Sequence, residues 1–201
     1  MRVLVGCEFT QIVTRAFREQ GHKAYSCDVL PTEGNPDWHI EGNILDILKE
    51  NWDLAIFHPP CTYLAVSGNR WMKNNTERES LREEAVEFFM TLANCDIQKT
   101  AIENPVGIMS TRWRKPDQYI QPWQFGHPET KKTGLWLKNL PQLEPTNIVT
   151  PEYIIGKDGK RYSRTHYMSQ WSEPGKRAQE RSRTYTGIAK SMSMQWGALC
   201  D

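Results

Sequence analysis

Short apolar segments alternate with helical segments along the first half of the chain, and this alternation limits the fold more than any other feature. The apolar run Arg2–Gly6 precedes a segment, Gln11–Gln20, whose apolar residues recur with the period of a helix. Further strands are predicted at Ala24–Cys27, Asp53–Phe57 and Lys99–Ile102, with a long helix at Glu77–Asn94. Strands separated by helices form a mostly parallel sheet with helices on both faces, so the sequence predicts an α/β fold.

Reactive or acidic side chains follow each of these strands. They are Glu8, Asp28, Cys61 and Glu103. The carboxyl ends of parallel strands meet at one edge of the sheet, where α/β proteins bind ligands. We therefore expect these four residues at one site. Thr10, shortly after the first strand, is the expected N-cap of the first helix.

The second half of the chain gives weaker patterns. Leu135–Leu140 predicts a further strand and Tyr185–Trp196 a closing helix. Between them, residues 157–183 contain eight Lys or Arg against three Asp or Glu, interleaved with Tyr162, Tyr167 and Trp171. Positive charge with aromatic rings suits a nucleic-acid backbone and an unstacked base, and equally a solvated surface loop. We expect one domain, 1–201, with a basic loop region at about 150–183.

Composition narrows the classes of function. The 25 basic residues nearly balance the 24 acidic ones, so a nucleic-acid partner has to be recognised through local charge. The five cysteines are widely spaced, and the five histidines show no ligand spacing, which predicts neither a disulfide framework nor a metal site. No apolar run is long enough for a membrane span, so we expect a cytoplasmic protein without a membrane partner.

Cys61 follows two prolines at a predicted strand end. Consecutive prolines make a rigid turn, which would hold the thiol at a fixed position, as a nucleophile requires. A buried, inert cysteine is the alternative.

The segment Asp53–Gly68, DLAIFHPPCTYLAVSG, resembles the Pro-Cys motif of cytosine-C5 DNA methyltransferases, and Ala101–Gly107, AIENPVG, resembles their Glu-Asn-Val motif. Val3–Asp28 is similar to the cofactor motifs of that family, and Arg181–Gly197 to its closing helix. Short phage and prophage proteins described as cytosine methyltransferases share HPPCTYL, ENP, QPW, FGHPETK and RSRT with this chain. Methyltransferases of amino groups usually have Asp, Asn or Ser before the two prolines, whereas this chain has His58, which favours C5 chemistry.

The resemblance implies a class I S-adenosylmethionine-dependent methyltransferase with a Rossmann-like sheet, acting on C5 of cytosine in DNA in a bacterial or phage-infected cell. Cys61 would attack C6 of the base as a thiolate. Glu103 would protonate N3, with a pKa raised by burial, and Asn104 would position it. A helix-capping or salt-bridged Glu103 is the alternative.

The resemblance also assigns residues to S-adenosylmethionine. Gly6, Cys7 and Glu8 would face its methionine part, and Asp28 would bind the ribose hydroxyls. The remaining cofactor residues are Val29, Asn43, Ile44 and Pro59. Asn43 and Ile44 would contact the adenine, although Asn43 is equally suited to cap a helix. The turn GCEFTQ contains one glycine where the family has a glycine-rich loop.

The substrate would be single-stranded DNA or a cytosine flipped out of a duplex. Its predicted contacts are Pro60, Ser67, Arg164, Arg181 and Arg183, with Lys176 and Arg177 in the same basic stretch. The chain has no room for a large recognition region, so residues 69–78 and 106–121 are the candidate recognition loops. RNA or a free pyrimidine nucleotide is the alternative substrate, and a non-catalytic nucleic-acid-binding phage protein is the alternative function.

Overall fold

Seven strands form one sheet in a computed structural model that describes residues 1–71, 75–168, 171, 173 and 179–199. The strands are β1 (Arg2–Gly6), β2 (Lys23–Asp28), β3 (His39–Glu41), β4 (Leu54–Phe57), β5 (Thr100–Pro105), β6 (Gln118–Ile120) and β7 (Thr133–Lys138). A separate hairpin pairs β8 (Ile154–Ile155) with β9 (Arg161–Tyr162).

The spatial order of the sheet is β3-β2-β1-β4-β5-β7-β6. The first five strands are mutually parallel, while β7 runs antiparallel to both β5 and β6. The order 3-2-1-4-5 is that of a doubly wound Rossmann-like sheet, whose ligand site lies at the carboxyl ends of the strands. The predicted α/β class with a Rossmann-like sheet is confirmed.

The helices are α1 (Ile12–Glu19), α2 (Thr76–Ala93), α3 (Met109–Arg112), α4 (Arg164–Met168) and α5 (Thr186–Gly197). Alternate residues of the central strands face opposite sides, so the sheet has two hydrophobic cores. Val3 and Val5 pack with α1 and α5, whereas Leu4 packs on the side of α2. The helices thus cover both faces, as predicted. No helix within the described residues is both long and apolar enough to cross a membrane.

The start of α1 differs from the prediction. The N-cap position is Gln11, a residue with left-handed backbone, and Thr10 makes only a long contact of 3.5 Å with the amide of Ile12, where the helix begins. The Glu8 carboxylate accepts hydrogen bonds from the backbone amides of Val13 (2.6 Å) and Thr14 (3.1 Å). The carboxylate of Glu8, a longer side chain placed earlier in the turn, therefore accepts the hydrogen bonds from the first helical turn that are expected of Thr10.

The second half of the chain contains structure that its local pattern predicts poorly. β5 runs through Pro105, three residues beyond the predicted end, because β7 pairs with Glu103, Asn104 and Pro105 after β4 has ended. Strand β6 and the β8–β9 hairpin are not predicted by the sequence. The predicted strand at Leu135–Leu140 and closing helix at Tyr185–Trp196 are β7 and α5, shifted by one or two residues.

Candidate active site

A cleft opens at the edge of the sheet where β1 and β4 end and where β5 extends beyond them. Its cavity is about 90 Å³ and is lined by residues 7–10 after β1, residues 58–61 after β4 and residues 103–105 of β5. Lys131, Arg181, Ser182 and Thr184 line the opposite side. The structure thus brings the predicted catalytic residues Cys61, Glu103 and Asn104 into one cleft.

Cys61 occupies a turn that is fixed from several directions. The His58 amide donates to the Gly6 carbonyl at 3.0 Å, which continues the pairing of β4 with β1 as far as the two prolines. Beyond them, the Cys61 carbonyl accepts from the amides of Leu64 and Ala65. Burial raises the pKa of the Cys61 thiol, the ammonium group of Lys131 opposes this shift, and the carboxylate of Glu103 adds to it. The thiol is therefore protonated at neutral pH.

Asn104 holds the Cys61 turn. Its side-chain amide donates to the carbonyl of Pro59 at 2.8 Å, and the group is buried. The contact joins β5 to the two prolines, so Asn104 positions the turn that carries the thiol. The expected role was to orient Glu103.

Glu103 is 8% exposed and lies in β5 opposite Leu135 of β7. Its Oε2 is 3.1 Å from Nδ1 of His58. Burial acts to raise the pKa of the Glu103 carboxyl, but the hydrogen bond from His58 and the charge of Lys131 outweigh burial and lower it. The expected upward shift of the pKa is therefore wrong, because the sequence does not show that His58 and Lys131 surround this carboxyl group.

Two polar groups of the cleft have a chemical role that the sequence does not predict, although the run His127–Lys132 is expected either to line the cleft or to form a packed turn. Lys131 lies within the run HPETKK and acts on the pKa of both Cys61 and Glu103. His58 precedes the two prolines, and its Nε2 is a buried polar atom without a hydrogen-bond partner among the described residues. The available signals were a basic residue before β7 and a histidine at the end of β4.

The turn after β1 is shaped by packing as well as by its position in the cleft. A Cβ on Gly6 would lie 2.7 Å from the Phe57 ring and 2.9 Å from Ile44, so this glycine permits close packing. Cys7 has φ of 59°, in the left-handed region that favours glycine. Burial, with the nearby charge of Asp28, raises the pKa of the Cys7 thiol to about 12, which keeps this second thiol of the cleft protonated.

The other predicted cofactor residues follow β2 and β3. Asp28 ends β2, and its carboxylate accepts from the Leu30 amide at 3.0 Å. Burial raises the pKa of Asp28. Val29 is an apolar side chain 72% exposed beside it. Asn43 caps a 3₁₀ turn, Ile44–Asp46, by accepting from the Leu45 amide, and Ile44 is buried against Gly6.

The predicted substrate residues are spread over a wider area. Pro60 and Arg181 line the cleft, whereas Ser67 is exposed in the 3₁₀ turn Val66–Trp71 and Arg164 is exposed at the start of α4. Arg183 makes two hydrogen bonds to the carboxylate of Glu33, at 2.8 and 2.5 Å. Lys176 and Arg177 lie outside the described residues.

A larger groove of about 630 Å³ lies between α1 and α5, away from this cleft. Its lining includes Arg15, His127 and Lys190, but no cysteine and no buried carboxyl group. The smaller cleft is therefore the candidate active site.

Similarity to known proteins is found among the solved structures. No family model matches the sequence, and no curated protein matches it. A crystal structure of a protein from E. coli, described as a candidate DNA modification methyltransferase encoded within a prophage, is similar with a TM-score of 0.46 and 12% sequence identity. The match covers 75% of this chain and 52% of that chain, so this chain spans about half the length of that protein.

Proposed function

We propose that this chain is an S-adenosylmethionine-dependent methyltransferase that methylates C5 of cytosine in DNA through a covalent bond to Cys61. The observation that carries the proposal is the placement of the Cys61 thiol and the Glu103 carboxyl group in one cleft, at the carboxyl ends of neighbouring strands. C5 of cytosine is a poor nucleophile until another nucleophile adds at C6 and a proton neutralises N3. A thiol and a carboxyl group across one cleft supply both functions.

The protonation states of the cleft are the reverse of those that the reaction uses. Cys61 rests as a thiol and Glu103 as a carboxylate, from the directions of their pKa shifts. Attack on C6 needs the thiolate, and N3 needs a proton. The proton lost by Cys61 equals the proton gained by N3, so the addition of the thiol to the base proceeds without net proton uptake from solvent. After methyl transfer, the C5 proton leaves to solvent and the bond between Cys61 and C6 breaks, which restores the free cysteine.

Lys131 supports this exchange electrostatically. Its ammonium charge favours the ionised form of both Cys61 and Glu103. When the proton leaves the thiol, the developing negative charge lies beside a cation that is already in place. Such a preorganised charge stabilises the transition state because it does not have to reorient during the reaction.

The residues at the strand ends fit S-adenosylmethionine, which would supply a methyl group from a positively charged sulfur. Residues 7–10 share the cleft with Cys61, so the methionine part would lie there. Asp28 presents an acid to the ribose, and the exposed Val29 presents an apolar surface to the adenine. Asn43 and Ile44 are already used in a turn and in packing, so we assign the adenine contact to Val29.

The cleft has to widen to hold both the donor and a base. Its volume of about 90 Å³ is well below the roughly 300 to 1,000 Å³ of ordinary ligand pockets. Its outer side is held by surface contacts, namely Lys131 Nζ to the Arg183 carbonyl at 3.3 Å and the Arg183–Glu33 ion pair. Exposed ion pairs are weak, so moving this side outward costs little.

The exposed face beyond the cleft suits a nucleic-acid strand. Tyr153 and Trp171 are 45% and 74% exposed, and the Arg161 guanidinium lies 5.9 Å from the Tyr153 ring centre. Arginine and aromatic rings together bind phosphates and unstacked bases. We therefore assign DNA as the substrate, with the target cytosine unpaired or flipped into the cleft at a cost of about a few kcal/mol in a duplex.

Labelled methyl transfer tests the proposal. The protein is incubated with methyl-labelled S-adenosylmethionine and with duplex DNA, single-stranded DNA, RNA or deoxycytidine monophosphate, and the nucleosides are analysed by mass spectrometry. We expect 5-methylcytosine in DNA, and no product from Cys61→Ala although calorimetry still detects the cofactor. Undiminished transfer by Cys61→Ala contradicts the covalent mechanism, and a preference for RNA or the mononucleotide contradicts the substrate.

A further inference from the structure

One ring nitrogen of His58 contacts the Glu103 carboxylate, and the other is buried without a hydrogen-bond partner among the described residues. The side chains of His58 and Glu103 are 8% and 9% exposed, and they contact each other through Nδ1 and Oε2 at 3.1 Å. An ionised carboxylate can only accept a hydrogen bond, so the proton of that bond belongs to Nδ1. In the neutral imidazole this leaves Nε2 as an acceptor, and Nε2 has no partner among the described residues.

An unpartnered buried acceptor is unfavourable and calls for an explanation. In this cleft the explanation is chemical, because a proton has to travel between two groups that both line it. Cys61 must lose a proton and Glu103, which is ionised at rest, must gain one before it can protonate a base. A neutral imidazole accepts a proton at one nitrogen while it releases another from the second nitrogen.

We propose that His58 is a proton relay that carries the proton of the Cys61 thiol to the Glu103 carboxylate, an inference that rests on the proposed function. The relay starts from the neutral imidazole: as the sulfur forms its bond to C6, the S–H proton passes to Nε2, and the Nδ1 proton passes to Oε2 of Glu103. Glu103 then gives its proton to N3, which has received the electron pair of the ring. His58 ends neutral, as the other tautomer, and no charge is left on the base.

The geometry sets the conditions for the first transfer. Cys61 Sγ and Nε2 are not hydrogen-bonded to each other, so the proton crosses through bridging water or after the two side chains approach each other. Catalytic hydrogen bonds often form only when the substrate is bound. The rigid His58-Pro-Pro-Cys61 turn keeps both side chains on the cleft while this happens.

Several other titratable or charged groups border the relay, so its pH dependence has to be separated from theirs. They are Cys7 and Glu8 after β1, Lys131 before β7, and Arg181 on the outer side of the cleft. Burial keeps the Cys7 thiol protonated, with a pKa of about 12, and the Glu8 carboxylate is occupied by the first turn of α1. Thus the thiol of Cys7 serves as an internal control in the same cleft.

His58→Asn is the informative variant. The asparagine amide nitrogen lies where Nδ1 lies and can still donate to Glu103, but it cannot pass a proton on. Glu103→Gln is the matched variant, since its amide oxygen still accepts from His58 but cannot receive the proton. His58→Gln is a second replacement if His58→Asn fails to fold, which circular dichroism shows.

The first measurement does not depend on methyl transfer. Alkylation of Cys61 by iodoacetamide is followed by peptide mass spectrometry at a series of pH values, with Cys7 as the control. We expect alkylation of Cys61 in His58→Asn to be slower at neutral pH by about tenfold or more, converging with the wild type at high pH, where the thiolate forms without a base. In Glu103→Gln the lost carboxylate charge, which raises the pKa of Cys61 in the wild type, opposes the loss of the proton acceptor, so that variant is compared only in the methyl-transfer assay. Cys7 should react equally in all variants.

The second measurement is the single-turnover rate of methyl transfer against pH. We expect His58→Asn to lose about 10²- to 10⁴-fold at neutral pH, the usual effect of removing a general base, and to recover partly as the pH rises. If His58→Asn stays within twofold of the wild type in the alkylation assay, His58 is only a structural partner of Glu103 and the relay is wrong. If the wild type alkylates as expected but transfers no methyl group, the proposed function fails and the relay does not.

Discussion

At the scale of single residues, the carboxyl group of Glu103 shows how burial and two neighbouring side chains decide a protonation state. Burial favours the neutral acid, whereas the hydrogen bond from His58 and the charge of Lys131 favour the ion, and the two attractive contacts prevail. A buried carboxylate is therefore stable here only together with its partners. Because of this coupling, the stability of the fold at acid pH depends on the Glu103 side chain.

The pH dependence of stability follows from this shift. The pKa of Glu103 in the folded chain lies below its ordinary value of 4.5, so ionised Glu103 stabilises the fold above that pH. The stabilisation is lost as the pH falls through the folded pKa. We expect the free energy of unfolding of the wild type to fall more steeply below pH 4.5 than that of Glu103→Gln, measured by urea denaturation. Parallel curves for the two proteins would contradict the assigned shift.

At the scale of elements, the first turn of α1 depends on Glu8 and not on Thr10. The Glu8 carboxylate accepts from two backbone amides and from the Thr14 hydroxyl at 2.7 Å, all of them buried. Removing it leaves buried donors without a partner. We expect Glu8→Ala to lower the free energy of unfolding by about 1 to 3 kcal/mol, and Thr10→Ala by clearly less, in chemical denaturation. Equal losses in the two variants would restore Thr10 as the cap.

The segment that follows Cys61 is fixed against the end of β5 by a glycine. The backbone of Gly107 bridges to Ala65, and a Cβ on Gly107 would lie 2.3 Å from the Leu64 carbonyl oxygen. An alanine there has to push the Cys61 segment away from β5. We expect Gly107→Ala to destabilise the fold by about 1 to 3 kcal/mol and to slow the alkylation of Cys61 relative to Cys7.

Gly42→Ala is the control for this prediction, because nothing lies within 4 Å of its added Cβ. Its free energy of unfolding should stay within about 1 kcal/mol of the wild type. A Gly107→Ala protein with unchanged stability and unchanged Cys61 reactivity would show that the two segments do not depend on each other.

At the scale of the whole molecule, basic and acidic residues nearly balance, and one of their ion pairs joins two segments that are far apart in the chain. Arg183 joins the segment before α5 to Glu33 in the loop between β2 and β3, and the pair is about half exposed. Such a pair is worth about 0.2 to 1 kcal/mol, so a phosphate group can take the guanidinium from Glu33 at small cost. The ion pair of Arg183 thus contributes little to the stability of the fold, and its guanidinium is accessible to a phosphate group.

The salt dependence of DNA binding tests whether Arg183 binds a phosphate group. If Arg183 binds a phosphate, Arg183→Gln should weaken DNA binding and reduce the slope of log K against log salt concentration by about 0.9, measured by fluorescence anisotropy on a duplex. Arg2→Gln is the matched control, because Arg2 is similarly exposed and is paired with Glu50 at the amino end of β1, away from the cleft. Equal slopes for Arg183→Gln and the wild type would exclude a phosphate contact.

The sequence predicts the first half of this fold well because its signals are local. Strands β1 and β4 are short apolar runs, α1 and α2 have helical periodicity, and parallel pairing places the residues after the strands at one edge. Cys61 and Glu103 could thus be placed together without coordinates. The β8–β9 hairpin has strands of only two residues, which are too short to produce a period.

By itself, the sequence determined which side chains stand at the ends of the strands, since a strand and its following turn are specified by neighbouring residues. The hydrogen bonds between those side chains, and the pKa shifts that result, depend on how the strands and loops pack in three dimensions. His58, which follows β4, forms a hydrogen bond with Glu103 of β5, and Lys131 from the segment before β7 lines the same cleft. Glu8 accepts a hydrogen bond from the first turn of α1. The protonation of a buried group depends on the charges around it in space, and residues far apart in the chain supply those charges.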